Sequence, residues 1–241
     1  WTEKHGKTTM HRLEKDIFPA IGNIPIREVT SPMLLSALKK IEARGAFEPA
    51  HRMKQTCGQI FRYGMAKGVC DGEPSAPLKE AMRPLKFEHY ASIDSSEIPE
   101  LLSALDANKA CLKIETRLAI EMLMLTFVRT TELIEAKWSE FNFEDKVWII
   151  PPERMKMRKE HIVPLSRQVI AILKELKAMH GFRELVFPGR HSALKPISNN
   201  TIRQGLDRLG FKGRMTGHGF RALAMTTIKE KLGYKHEVID R

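Results

Sequence analysis

The stretch LAIEMLMLTFVRTTEL, residues 118–133, decides how this chain folds. From Leu118 to Val128 it is almost continuously apolar, with one interruption at Glu121. That pattern reads as a helix buried in a globular core, and it is far shorter than the roughly 20 residues a membrane span needs. Arg129 follows at once, so a guanidinium is held at the edge of the core. A charge in that position has to meet an anion. Two readings stay open: an ion pair with Glu132 three residues on, or an anionic ligand.

Downstream, residues 147–150 (VWII) and 161–164 (HIVP) are short β-rich runs around a polar stretch, which predicts a hairpin with a basic tip. Lys156 lies on that tip, either as part of a solvated basic turn or as a side chain reaching a ligand. Helices are expected at 166–179, 198–209 and 218–232, the first two capped by Ser166 and Ser198. His218 and Arg221 are i and i+3, so a helix puts both on one face, and Thr216-Gly217 marks the turn leading in. Alone, HxxR is a common and weak motif.

Upstream, Asp94-Ser-Ser-Glu97 reads as a capping box opening a helix that runs through Leu105. Between Cys70 and Ile93 the periodicity fails and Pro74, Pro77 and Pro84 appear, so the domain junction is expected there. The expected division is a helical domain over 1–85, a linker over 86–95 and a second domain over 96–241. In the first, residues 2–18 read as a helix, 19–23 as a breaker, and Leu34, Leu35, Leu38 and Ile41 as the stripe of a second helix ending near Gly45. A third helix is expected from about 49 to 67. Met53, Cys57, Ile60 and Phe61 make its apolar side, while Arg52, Gln55, Gln59 and Arg62 align on another. That polar stripe is either a solvated face or one that reaches phosphates and base edges in a DNA groove.

Composition narrows the partner class. The 241 residues are 42% hydrophobic, 7% aromatic and 29% charged, as in an ordinary globular protein. Forty Lys and Arg against 29 Asp and Glu leave a formal charge of +11, spread along the whole chain, which makes nucleic acid the leading partner. Cys57, Cys70 and Cys111 form no CxxC pair, which argues against a disulfide framework or a zinc site and favours a reducing compartment. The first residues carry no apolar leader pattern and no initiator Met, so the chain is expected to be a piece of a longer one.

Taken together, the ordered boxes resemble the tyrosine recombinases, and more closely the P4-like integrases of phages and genomic islands. Residues 126–133 (TFVRTTEL) and the following Trp138-Ser-Glu140 resemble the box of the first catalytic Arg. Residues 148–166 (WIIPPERMKMRKEHIVPLS) resemble the β-hairpin box, and 215–222 (MTGHGFRA) that of the second Arg. Residues 12–19 and 59–63 are similar to the helical domain that precedes the catalytic one in this family. The implied fold is mainly α with a small β component: a helical SAM-like core-binding domain and a mixed α+β tyrosine-recombinase catalytic domain.

The resemblance also implies a chemistry. Members cut and rejoin DNA at attachment sites through a 3′-phosphotyrosine intermediate, without cofactor or metal, as homotetramers on two duplexes. Arg129 and Arg221 correspond to the forks on the phosphoryl oxygens, Lys156 to the proton donor for the leaving 5′-oxygen, and His218 to a hydrogen-bonding acid or base. Arg52, Gln55, Gln59 and Arg62 would contact DNA. Localisation would be the bacterial cytoplasm, at the nucleoid, with no membrane contact. Two departures accompany the match. Thr130-Thr131 stands where the family often has Pro-Gly, a change that suits a helix start. The family's later active-site His, its nucleophilic Tyr and its amino-terminal arm-binding domain are expected outside residues 1–241. The alternative is a non-catalytic DNA-binding regulator on the same fold.

Overall fold

The computed structural model describes residues 3–85, 90–108, 111–155, 157–190, 192 and 194–234. They form two compact units, residues 1–88 and 89–241.

The first unit is helical: α1 (Glu3–Asp16), α2 (Phe18–Ile21), α3 (Ser31–Ala43), α4 (Phe47–Ala66) and α5 (Leu78–Ala81). Pro32 in its first turn lacks only an N–H that no helix start needs, so α3 begins cleanly after Thr30. Leu34, Ala37, Leu38 and Ile41 from α3 pack with Ala50, Met53, Cys57 and Phe61 from α4 and with Leu13 and Ile17, closing a core. Two expectations are corrected. Residues 19–23 are not simply a breaker, because Pro19 sits in the first turn of α2, where proline is tolerated. Ile60 is 40% exposed rather than part of the buried side of α4.

The second unit contains α6 (Ile98–Ala107), α7 (Ile114–Thr126), α8 (Thr130–Ile134), β1 (Phe141–Asn142), β2 (Val147–Ile150), β3 (His161–Pro164), α9 (Arg167–His180), α10 (Asn199–Leu206) and α11 (Gly219–Leu232). Asp94 and Glu97 do form a capping box, on a 3₁₀ turn that leads into α6. Ser166 accepts from the Val169 N–H and Ser198 from the Asn200 N–H, so both expected caps are present. Helix α7 carries Leu118, Ala119, Ile120, Met122 and Leu123 into the core and packs against α9 and α10. The sheet is antiparallel in the order β1-β2-β3, with Trp148 opposite Val163 and Ile150 opposite His161. Trp148, Ile150 and Val163 point inward. Residues 90–95, read from sequence as linker, lie along this unit: the Thr216 N–H donates to the Ala91 carbonyl (3.1 Å) and the Ser92 hydroxyl to the Gly219 carbonyl (2.9 Å).

Candidate active site

Helix α7 ends because Phe127 turns left-handed (φ 55°), its N–H still donating to the Leu123 carbonyl at 2.9 Å. Val128 is buried beyond the turn, and Arg129 is then extended as the residue that opens α8. Glu132 grips it twice. One carboxylate oxygen accepts from the Arg129 main-chain N–H (2.8 Å) and the other from Nη1 (2.6 Å). The ion pair allowed by sequence therefore exists, and the Glu132 carboxylate is nearly fully buried while Arg129 keeps 30% of its side chain exposed. Such a fork is fixed at one end and open at the other.

Arg221 arrives from α11. Its Nη1 lies 3.5 Å from the Phe127 carbonyl, a long contact, and it has no ion pair among the described residues. A half-buried guanidinium with one weak acceptor is undersatisfied and suited to an anion. The turn before it is built closely. Arg214 donates to Glu97 and Glu100, fixing one side of the segment, and Met215 is buried. Gly217 abuts Thr130, whose hydroxyl a Cβ at that position would strike. This close approach brings the turn before α11 against the start of α8. Thr130 opens that helix as expected.

His218 occupies the cap position of α11, is exposed, and has its ring 4.7 Å from that of Tyr90, tilted by 41°. Tyr90 thus packs on the 215–222 stretch, although from sequence it falls in the linker. Lys156 lies outside the described residues. Arg52, Gln55, Gln59 and Arg62 are all exposed along α4 in the first unit, with Arg52 paired to Glu48 and Arg62 to Glu73 (2.7 Å).

Three residues of the 148–166 stretch, none of them singled out from sequence, are linked to this site directly or through Glu132 and Glu140. His161, at the start of β3, is held below the ordinary imidazole range by burial and by the positive charges of Arg221 and Arg129, against the opposing pull of Glu132. Arg154 donates to both carboxylate oxygens of the buried Glu140 and to the Glu132 carbonyl. Trp148 Nε1 donates to the same Glu140 at 2.9 Å. For His161 the sequence signal was a polar residue in a β-run next to the basic tip. Arrayed this way, the site can bind an anion with two guanidiniums and offer imidazole hydrogen bonds beside it. Among the described residues no cluster of three His, Cys, Asp or Glu has metal-binding geometry, and no helix is long and apolar enough to cross a membrane.

Comparison with known proteins gives the family. Residues 1–81 match the phage integrase central domain, and residues 91–236 match the phage integrase family. The integrase of Enterobacteria phage P4 is 37% identical over 255 residues, covering 100% of this chain and 58% of that protein. Prophage integrase IntA of Escherichia coli K12 is 34% identical, covering 99% of this chain and 57% of its own length. The chain spans about three fifths of the length of these curated relatives. Among solved structures, a lambda integrase (75–356) dimer bound to a COC′ core site superposes with a TM-score of 0.73 at 19% identity, over 96% of this chain and 82% of the other. The Tn1549 transposon integrase (82–397) with circular intermediate DNA gives 0.75 at 15% identity, over 100% and 85%. These two share the mainly helical fold with its small sheet. With one family model matched over residues 1–81, another over 91–236, and a relative 37% identical along the whole chain, the chain belongs to the phage integrase family of tyrosine recombinases.

Proposed function

We propose that this chain supplies the core DNA grip and most of the catalytic centre of a site-specific recombinase that integrates or excises a mobile element. The observation that carries the reading is that Arg221 reaches the Phe127 carbonyl, two residues before Arg129 in the chain, and that both guanidiniums act on one imidazole, His161. Two guanidinium forks with one anchored by a buried carboxylate suit the non-bridging oxygens of a phosphodiester, where charge builds in the transition state. His218, at the cap of the helix that carries Arg221, adds a hydrogen bond to the phosphate. Lys156 gives the proton to the departing 5′-oxygen. The first unit contacts duplex DNA through the Arg52, Gln55, Gln59 and Arg62 face, and the second carries the chemistry. The nucleophilic Tyr is supplied from outside residues 1–241, and the working assembly is a homotetramer holding two attachment sites in the bacterial cytoplasm at the nucleoid.

The test is single-turnover cleavage of the element's own attachment-site duplex by the full-length protein. Arg129→Ala and Arg221→Ala each lower the rate by about 100-fold or more, since each removes a transition-state contact, while duplex affinity changes by only a few-fold. Lys156→Ala is restored by a 5′-phosphorothiolate linkage, whose sulfur leaves without a proton. A loss of affinity equal to the loss of rate would make the arginines docking residues, as in a regulator built on the same fold.

A further inference from the structure

We propose that Arg154 is a positioning residue for Arg129, acting through the main chain of Glu132; the inference rests on the recombinase reading above. Helix α8, which Arg129 opens, is little more than one turn long. Within it the Leu133 N–H donates to the Arg129 carbonyl and the Glu135 N–H to the Thr131 carbonyl, whereas the Ala136 N–H goes to Leu133. The Glu132 carbonyl is left without a helical donor, as expected near a helix end. Arg154 Nη2 fills that place.

Arg154 is itself held. Its Nη1 lies on the Glu140 carboxylate, which also accepts from Trp148 Nε1, and both charged side chains are largely buried. Trp148 is fully buried on β2. The linkage therefore runs from the sheet core through Glu140 to Arg154, from Arg154 to the Glu132 carbonyl, and from the Glu132 carboxylate to both the N–H and the guanidinium of Arg129. Every step is a hydrogen bond to a charged group or a buried one, the kind most sensitive to geometry. A planar guanidinium spans two acceptors in fixed directions, which a single ammonium cannot do. Arg154 also reaches back across the site, because it stands at the end of the 3₁₀ turn that leaves β2. One side chain thus ties the outgoing arm of the hairpin to the helix start that aims Arg129.

Arg154→Lys separates this role from simple folding, since a lysine keeps a positive charge beside Glu140. In residues 1–241 of the variant, melting stays cooperative while the Arg129 guanidinium, followed by ¹⁵N NMR of its Nε and Nη, loses its restricted rotation. The Arg117 guanidinium, paired with Glu121 elsewhere, keeps its own. In the full-length protein the variant binds its attachment-site duplex with unchanged affinity and cleaves about tenfold more slowly. That loss disappears on a methylphosphonate at the scissile position, where one negative oxygen is gone and the aim of Arg129 no longer matters. An Arg129 signal unmoved by the substitution overturns the proposal. So does an unchanged cleavage rate, or a slow rate that persists on methylphosphonate, which would mark a general structural defect. If the wild-type protein cleaves no duplex, the recombinase reading fails, and the NMR result still decides whether Arg154 holds Arg129.

Discussion

The ring of Tyr90 lies against the imidazole of His218, centroids 4.7 Å apart and planes tilted by 41°. His218 is otherwise exposed, and the Tyr90 ring is the aromatic neighbour it meets. Ring pairs of this kind contribute about 0.5–1.5 kcal/mol. Tyr90→Ala is expected to slow cleavage several-fold with little change in stability, and Tyr90→Phe, which keeps the ring, to behave as wild type. Single-turnover rates of the two variants check this; equal losses would shift the role from the ring to the hydroxyl.

The Glu140–Arg154 pair predicts an asymmetry in stability. Both side chains are largely buried, so removing one partner strands the other charge. Glu140→Ala is expected to cost about 3–5 kcal/mol in urea unfolding, whereas exposed Glu144→Ala stays within about 0.5 kcal/mol. A Glu140→Ala cost as small as that of Glu144 would show that the pair is solvated.

His161 predicts a pH dependence with a definite sign. Burial and the two arginines hold its pKa below the ordinary 6.5. Above that value the imidazole is neutral in the folded and unfolded chains alike and contributes nothing. As pH falls below 6.5 the unfolded chain takes up the proton first, so stability drops until the folded pKa is passed. His161→Gln removes this component. Between pH 7.5 and 5.5 the urea midpoint should fall further for wild type than for the variant.

The parts of this molecule that were legible in the sequence are those written in local spacing. Asp94 with Glu97, Ser166, Ser198 and the buried run ending at Arg129 each depend on neighbours within one or two helical turns. The missed parts depend on long-range or very short features. Strand β1 has two residues and no periodicity to read. Arg154 and Glu140 look like surface charges until the fold buries them together across 14 residues. Tyr90 sits among irregular, proline-flanked chain, and nothing local says that it meets a histidine 128 positions later. Ile60 shows the opposite failure, since an apolar residue at a core-like spacing remains exposed at the rim of the cleft it shares with Leu13 and Ile17.

Arg52 and Arg62 predict how the first unit grips DNA. Each is exposed and paired with one carboxylate, Glu48 or Glu73. Surface pairs of this kind are worth about 0–1 kcal/mol, so a phosphate can replace the partner at small cost. Replacing both arginines by Ala should weaken duplex binding more than replacing Lys7 and Lys40, which lie on α1 and α3. The slope of log K against log salt should also become shallower by about 0.9 for each phosphate that is no longer neutralised. Equal losses from the two pairs would remove α4 as the groove-facing helix.

The placement of the tyrosines decides whether residues 1–241 can attack DNA by themselves. A covalent intermediate needs a phenol in line with the leaving oxygen, and in-line attack tolerates little displacement. The sequence has three tyrosines, Tyr63, Tyr90 and Tyr234. Tyr63 is exposed on α4 in the first unit. The ring of Tyr90 packs on His218 at the entry to the second unit, far in sequence from the later helix to which the family resemblance assigns the nucleophile. Tyr234 follows the left-handed Gly233 that ends α11, its N–H donating back to the Ile228 carbonyl at 3.4 Å, so it starts a new direction of chain instead of extending the helix that carries Arg221. Residues 1–241 should therefore form no DNA-linked band on a denaturing gel when incubated with a nicked or 5′-phosphorothiolate attachment-site duplex, even though they bind it. A band that vanishes with Tyr90→Phe or with Tyr234→Phe would assign the nucleophile to that residue and overturn the placement argued for it. A band that appears only in the full-length protein, and survives both substitutions there, would locate the nucleophile outside these residues and leave Arg129 and Arg221 as the groups that stabilise its attack.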